Sequence, residues 1–225
     1  MKRTGIIRML AVGGSLLLGG LTGGKTYAAP TPPNILFIMA DDLSMNDTGP
    51  YGNPQVHTPN MGRLAEEGVC FDNMFNLVGV CSPTRQSLLT GLGPVRNGAW
   101  PNHSRIYDGI KTLPVYMKEL GYNAALLGKR HYAPAAAYPF DFLGGRNQDN
   151  GEGQDVDLSQ AEKYIQESSD KPFFLMFTSN QPHSPWNRGN PHRYDPEKIK
   201  LHPNMVDTKL TRERMVLYFA EITYL

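Results

Sequence analysis

Residues 34–42 read Asn-Ile-Leu-Phe-Ile-Met-Ala-Asp-Asp, an unbroken apolar run that ends on two adjacent carboxylates. An apolar run of this length is typical of a strand that is buried on both faces of a parallel sheet. Two similar runs follow, at residues 123–127 (NAALL) and 173–177 (FFLMF). The sequence therefore predicts three strands of a mostly parallel sheet.

Helix signals separate these runs. N-cap residues, early prolines and glycine terminators mark helices that begin near Thr58, Ser82, Thr112, Asp157 and Thr211. Strands that alternate with helices predict an α/β fold, a doubly wound and mostly parallel sheet flanked by helices. Because the sequence stops inside the last predicted helix, we expect this fold to be incomplete at the C-terminus.

Polar residues follow each predicted strand, where open α/β sheets place their ligand sites. Asp41 and Asp42 follow the first strand, Lys129 and His131 the second, and His183 the third. The i, i+2 spacing of Lys129 and His131 puts both side chains on one side of an extended chain. Lys129 alone is more typical of a surface lysine, His131 alone of a histidine at a strand end, and His183 alone of a turn residue. The shared position of the three behind strands predicts a joint site.

Asp41 and Asp42 are either a solvated turn or part of a cation site. Asp-Asp pairs are common in loops. Directly behind a buried strand, however, two carboxylates repel each other unless a cation lies nearby or one holds a proton. Hard oxygen ligands of this kind suit Ca²⁺ or Mg²⁺.

Cys81-Ser82-Pro83-Thr84-Arg85 places a thiol at the start of a predicted helix. Backbone N–H groups and the helix dipole favour an anion at that position, and Arg85 lies one turn further on. The alternatives are a buried thiol or a disulfide with Cys70, the other cysteine of the chain. Cys70 lies among apolar residues at the end of the first predicted helix, so a buried free thiol is predicted there.

These segments, in this order, resemble the sulfatase family of the alkaline phosphatase superfamily. Residues 81–91 (CSPTRQSLLTG) resemble the family signature, whose cysteine a maturase oxidises to formylglycine. Four further segments resemble family blocks: the first strand with its aspartates at 34–42, the first helix at 58–69, Gly128-Lys129-Arg130-His131, in which Arg130 replaces the usual tryptophan, and Gln181-Pro182-His183.

The resemblance implies a nucleophile and a metal site. Formylglycine derived from Cys81 would be the catalytic nucleophile, and Asp41, Asp42 and Cys81 would hold Ca²⁺, with Mg²⁺ the less typical ion. The family also has a second metal-ligand pair, Asp with Asn or His, and a further lysine, downstream of a segment like residues 218–225. We therefore expect the truncated chain to be inactive alone.

The resemblance also implies roles for the other charged residues. Arg85 and Lys129 would offset negative charge at the nucleophile and the sulfate, so Lys129 is predicted to bind substrate as well. His183 would contact the sulfate and help to protonate the leaving atom. His131 would remove a proton from the second hydroxyl of the hydrated aldehyde, so that sulfate can leave.

The implied function is hydrolysis of sulfate esters or N-sulfates, on a sulfated small molecule or glycan. Segments at 128–131 and 138–142 resemble the sulfamidase branch, the heparan N-sulfoglucosamine sulfohydrolases, or they are loops that several branches share. A phosphonate monoester hydrolase or a phosphatase of the same superfamily is the alternative enzyme. A phosphatase would carry Ser or Thr at position 81. A truncated, non-catalytic glycan-binding relative is the alternative outside catalysis.

The N-terminus has the pattern of an export signal. Lys2, Arg3 and Arg8 precede an apolar run at residues 9–21, which is interrupted by glycines and too short to span a bilayer. Thr26-Tyr27-Ala28 supplies the small residues of a cleavage site. The protein is therefore predicted to be secreted or periplasmic, with no membrane anchor after cleavage.

Two segments follow from this pattern: a signal peptide at 1–28 and the N-terminal part of a sulfatase catalytic domain at 29–225. The formal net charge of the whole chain is +1. Removal of the basic leader makes it slightly negative, and no basic stripe occurs elsewhere. This balance argues against a nucleic-acid partner.

Overall fold

The computed structural model describes residues 32–146, 153, 155–168 and 170–225. A four-stranded parallel sheet in the order β1-β4-β2-β3 forms its centre. The strands are β1 (Ile35–Met39), β2 (Asn123–Gly128), β3 (Asp141–Gly144) and β4 (Phe173–Thr178). The three predicted strands and the parallel α/β fold are confirmed. β3 was not predicted, because its two apolar residues are too few to give a strand pattern. The predicted signal peptide lies outside the described residues.

The prediction that the strand at residues 34–40 is buried on both faces is wrong. Burial alternates along β1, and Leu36 and Ile38 expose 51% and 56% of their surface. β1 lies at an edge of the sheet and pairs with β4 from Ile35 opposite Phe174 to Met39 opposite Thr178. Its inner face packs against the core, and its outer face is open to solvent.

Within residues 32–225 as far as they are described, six α-helices accompany the sheet, and all predicted helix starts fall within a few residues of an observed one. The helices are α1 (Pro59–Glu67), α2 (Cys81–Thr90), α3 (Pro94–Asn97), α4 (Leu113–Glu119), α5 (Ser159–Glu167) and α6 (Lys209–Tyr224). Within the described ranges, none of the helices has both the length and the apolar character needed to cross a membrane.

The central strands β2 and β4 are covered on both faces. Leu126 packs in one cluster with Leu89 of α2 and Met117 of α4. Leu175 points to the opposite face and packs in a second cluster, next to Tyr164 of α5. A third cluster surrounds α6, and its buried members are Val56, Ile199, Met215, Val216, Phe219 and Ile222. Helices on both faces make the sheet doubly wound.

Gly128 lets the end of β2 lie directly against β4. Its φ is +111°, and a Cβ at this position would lie 2.0 Å from the carbonyl oxygen of Thr178. We expect Gly128→Ala to destabilise the fold by about 3 kcal/mol or more, because backbone atoms on both strands would have to move. Chemical denaturation of the two proteins measures this difference.

Gly62→Ala is the matched control for that substitution. Gly62 lies inside α1, and nothing lies within 4 Å of the position where its Cβ would be. Alanine favours a helix interior over glycine by about 0.5–1 kcal/mol, so this variant should be neutral or slightly more stable. Equal stability of the two alanine variants would contradict the proposed packing at Gly128.

Candidate active site

The carboxyl ends of β1, β2 and β4 meet at one edge of the sheet, where sequence reasoning placed the site. Asp41 follows β1, and its backbone N–H donates to the carbonyl of Gln181, which follows β4, at 2.9 Å. The N–H of Lys129, the residue after β2, donates to the carbonyl of Thr178 at 3.0 Å. These bonds fix the predicted residues of three strands side by side.

Asp41, Arg85 and Lys129 form a buried ion cluster. They expose only 4%, 2% and 2% of their side chains. Arg85 lies 3.2 Å from Oδ1 of Asp41, and Lys129 contacts Oδ2 of the same carboxylate. A second guanidinium nitrogen of Arg85 donates to the backbone carbonyl of Lys129 at 2.9 Å. One carboxylate and two cations therefore join the end of β1, the end of β2 and the helix α2.

The cluster has one positive charge in excess. Burial alone raises the pKa of the Asp41 carboxyl, but attraction to Arg85 and Lys129 outweighs it and holds that pKa below its usual range. Asp41 is therefore ionised at neutral pH, and it compensates only one of its two cationic partners. A buried, uncompensated cation is costly, so the site favours an additional anion.

Cys81 is the first residue of α2 and lies beside this cluster. Its Sγ lies 3.8 Å from Oδ1 of Asp42. Burial, and after it the negative charge of Asp41, raise the pKa of the Cys81 thiol. Because the thiolate is the nucleophilic form of cysteine, an unmodified Cys81 is a poor nucleophile here. The described cysteines are both free, and Cys70 is exposed rather than buried as predicted.

His183 lies next to Asp42. Its Nε2 is 3.7 Å from Oδ2 of Asp42. One ligand atom each of Asp41, Cys81 and His183 lie within 4.8 Å of one another. The predicted metal ligands Asp41, Asp42 and Cys81 thus occupy one small region.

These residues fit part of a shell for a hard cation. Carboxylates are the preferred ligands of Ca²⁺ and Mg²⁺, and Sγ of Cys81 stands where the oxygen of an oxidised side chain would lie. Ca²⁺ takes six to eight oxygen ligands, more than Asp41, Asp42 and one oxygen of residue 81 supply. These residues would therefore supply only part of the ligands, on one side of the ion.

His131 lies next to the ion cluster and is only 5% exposed. Burial, and after it the positive charge of Lys129, lower the pKa of His131 to about 4. Its Nε2 lies 2.8 Å from Nδ1 of His103. His103 is exposed, and its ring packs against that of His131.

Two residues of the site were missed for lack of a local signal. His103 lies in a loop far from the other motifs, and only the folded chain brings it to His131. Thr178 ends β4, is fully buried, and donates its hydroxyl to the backbone carbonyl of Lys129 at 2.8 Å. A threonine at the end of an apolar strand gives no sign of this contact in the sequence.

Two open clefts adjoin the site. One, of about 580 Å³, is lined by Asp41, Cys81 and Arg85. The other, of about 530 Å³, extends from Asp42 and is lined by Trp186 and Tyr218 together with polar side chains. An anion that binds the ion cluster would therefore leave room for an attached group on either side.

The sequence profile of the family described as Sulfatase matches residues 33–209. The chain belongs to the sulfatase family. It is 38% identical over 160 residues to the ulvan-active sulfatase of Formosa agariphila, and this match covers 71% of the chain and 32% of that protein. It is 34% identical over 163 residues to the N-sulphoglucosamine sulphohydrolase of Homo sapiens, and this match covers 68% of the chain and 32% of that protein.

A solved member of the same fold is similar in structure. It was determined in complex with its substrate D-glucosamine-2-N,6-O-disulfate, and it matches this chain with a TM-score of 0.63 at 29% identity. The match covers 71% of this chain and 36% of that one. The resemblance to the family, including the sulfamidase branch, is confirmed. The chain spans about a third of the length of these relatives, and the roles of its individual site residues remain predictions.

Proposed function

We propose that the protein hydrolyses sulfate esters or N-sulfates on a sulfated carbohydrate, with formylglycine made from Cys81 as nucleophile. The observation that carries the proposal is the ion cluster beside Cys81, because its excess positive charge suits a sulfate group. The raised pKa of the Cys81 thiol supports a modified rather than a native cysteine. Membership of the sulfatase family supports the reaction class.

Arg85 and Lys129 are the residues that would stabilise charge in the reaction. Both are buried and fixed by Asp41 and by backbone bonds, so they need no rearrangement when negative charge grows on the sulfuryl oxygens. His183 is suited to the leaving-group side, because it is partly exposed next to Asp42. His131 would accept the proton of the second hydroxyl, since its low pKa keeps it neutral at pH 7.

Asp41, Asp42 and residue 81 would hold the metal ion, which we propose to be Ca²⁺. When bound, it would favour the ionised form of the attacking hydroxyl and offset charge on the sulfate. The protein residues that complete the ion's shell would come from a part of a longer protein, as the length of the relatives suggests. A formylglycine-generating maturase and export to the periplasm or the medium belong to the same proposal.

The proposed substrate is a sulfated glucosamine or a related sugar. The relatives named above include a sulphoglucosamine sulphohydrolase and a protein bound to a disulfated glucosamine. The cleft that starts at Asp42 offers Trp186, whose ring lies 5.2 Å from that of Tyr218, as an apolar surface for a sugar ring. Asn204 and His202 supply polar contacts in the same cleft.

A substrate panel tests this proposal. Because the chain alone is expected to be inactive, this and every other activity measurement uses a matured protein extended past Leu225. It should release sulfate from N-sulfated glucosamine faster than from a 6-O-sulfated sugar or an aryl sulfate, with sulfate measured by ion chromatography. Faster release from the O-sulfated sugar or the aryl sulfate would overturn the sulfamidase assignment and leave sulfatase activity standing. Faster turnover of a phosphonate monoester than of every sulfate would overturn both and favour the alternative hydrolase.

A further inference from the structure

Two imidazole rings meet at the edge of the ion cluster. The rings of His103 and His131 have their centroids 4.8 Å apart and are tilted by 38°. The 2.8 Å separation of His131 Nε2 and His103 Nδ1 is that of a hydrogen bond, so one nitrogen carries a proton and the other accepts it.

The two histidines differ sharply in exposure. His131 is 5% exposed, whereas His103 lies on the surface. Among the described residues, none hydrogen-bonds the buried Nδ1 of His131. Both residues also have left-handed backbones, with φ of 47° and 62°, a conformation that is uncommon outside glycine. The pair therefore links the buried Nδ1 of His131, which has no hydrogen-bond partner among the described residues, to His103 at the surface.

Asn102 determines where the protons lie in the resting pair. Its side-chain amide nitrogen lies 3.2 Å from Nε2 of His103. With the Asn102 amide in the orientation that the structure shows, its nitrogen donates to Nε2 of His103, and the proton of His103 is then on Nδ1. His103 therefore donates to Nε2 of His131, and the proton of His131 is on the buried Nδ1.

We propose that His103 and His131 form a proton relay, in which the exposed His103 connects the buried Nδ1 of His131 with water. His103 acts through His131 and is a positioning residue, since His131 is the ring on which the charges of Lys129, Arg85 and Asp41 act. The assignment of a reaction to the relay rests on the proposed sulfatase function. The existence of the relay rests on the geometry of the two rings.

Each step of the relay balances. When His131 gives its Nδ1 proton to an oxygen of a ligand, the Nδ1 proton of His103 moves to Nε2 of His131, and His103 takes a proton from water at Nε2. In the reverse direction a proton arrives at Nδ1 of His131, its Nε2 proton passes to Nδ1 of His103, and His103 releases its Nε2 proton to water. The acid step comes first and frees Nδ1 for the base step that is proposed for His131, and the two steps together return the pair to its starting state.

Charge around His131 supports this exchange. Burial, and after it the positive charges of Lys129, His103 and Arg85, disfavour a proton that stays on His131, and they place its pKa at about 4. Asp41 opposes them only weakly. A proton taken up by His131 must therefore leave quickly, and the hydrogen bond to His103 is the path that the described residues provide.

His103→Gly tests the relay by removing one ring without straining the backbone, because glycine accepts the positive φ at this position. In ¹⁵N-histidine-labelled protein, long-range ¹H–¹⁵N spectra show which nitrogen of His131 holds the proton. We expect the Nδ1-protonated form in the native protein, a shift toward the spectrum of free histidine in the variant, and a return on addition of imidazole. His192→Ala, which removes an exposed histidine elsewhere, should leave these signals unchanged.

Activity gives a second measurement on the matured protein. His103→Gly should lower kcat by roughly 10- to 100-fold with little change in KM, and imidazole should restore it. Identical His131 signals in the native protein and the variant, or a loss of kcat that imidazole does not reduce, would overturn the relay. The spectra do not depend on the reaction, so absence of sulfate release by the native protein would overturn the proposed function alone.

Discussion

Cys81→Ala is expected to abolish sulfate release, with a fall in kcat of about four orders of magnitude or more. Cys81 is the proposed nucleophile, and no other thiol lies near the ion cluster in the described part of the chain. Alanine is a good helix former at the first position of α2, so the fold should be kept. Initial rates of sulfate release and circular dichroism of the two proteins measure these effects.

Cys70→Ala is the matched control. Cys70 is an exposed free thiol, so its loss should change neither sulfate release nor stability by a measurable amount. Sulfate release by Cys81→Ala at a rate close to that of the native protein would show that the nucleophile lies elsewhere.

Asp41→Asn should destabilise the protein by about 3–5 kcal/mol, because it removes the carboxylate that compensates two buried cations. Asparagine has nearly the same shape as aspartate, so little packing is lost. The cost arises from Arg85 and Lys129, which are each 2% exposed and lose their charged partner. The midpoint of urea denaturation for the two proteins gives the difference.

Arg105→Ala provides the comparison at the surface. The ion pair of Arg105 with Asp108 is 61% and 89% exposed, and its loss should cost less than about 1 kcal/mol. Adding Lys129→Met to Asp41→Asn should recover part of the lost stability, because one of the two uncompensated cations is then gone. Equal costs for Asp41→Asn and Arg105→Ala would contradict the buried cluster.

The central strands were predictable because their signal is local. Residues 123–127 and 173–177 are continuous apolar runs, and both are buried on two faces as such runs indicate. The convergence of Asp41, Lys129 and His183 was predictable from topology alone, since parallel strands present their carboxyl ends at one edge.

The features that escaped prediction depend on contacts distant in sequence. The exposed outer face of β1 reflects its edge position, which the run at residues 34–40 does not encode. β3 forms only because Asp141 and its neighbours pair with β2. His103 acquires a possible role only through a hydrogen bond to a residue 28 positions away.

The central claim is that Cys81 is oxidised to formylglycine, and mass spectrometry of the peptide that contains Cys81 tests it most directly. After co-expression with a formylglycine-generating maturase, we predict a peptide that has lost the sulfur of Cys81 and carries an aldehyde that reacts with a hydrazide. The Cys70 peptide from the same sample serves as the internal control and should keep its thiol. An intact Cys81 thiol, under conditions in which the maturase converts a known sulfatase, would contradict the account.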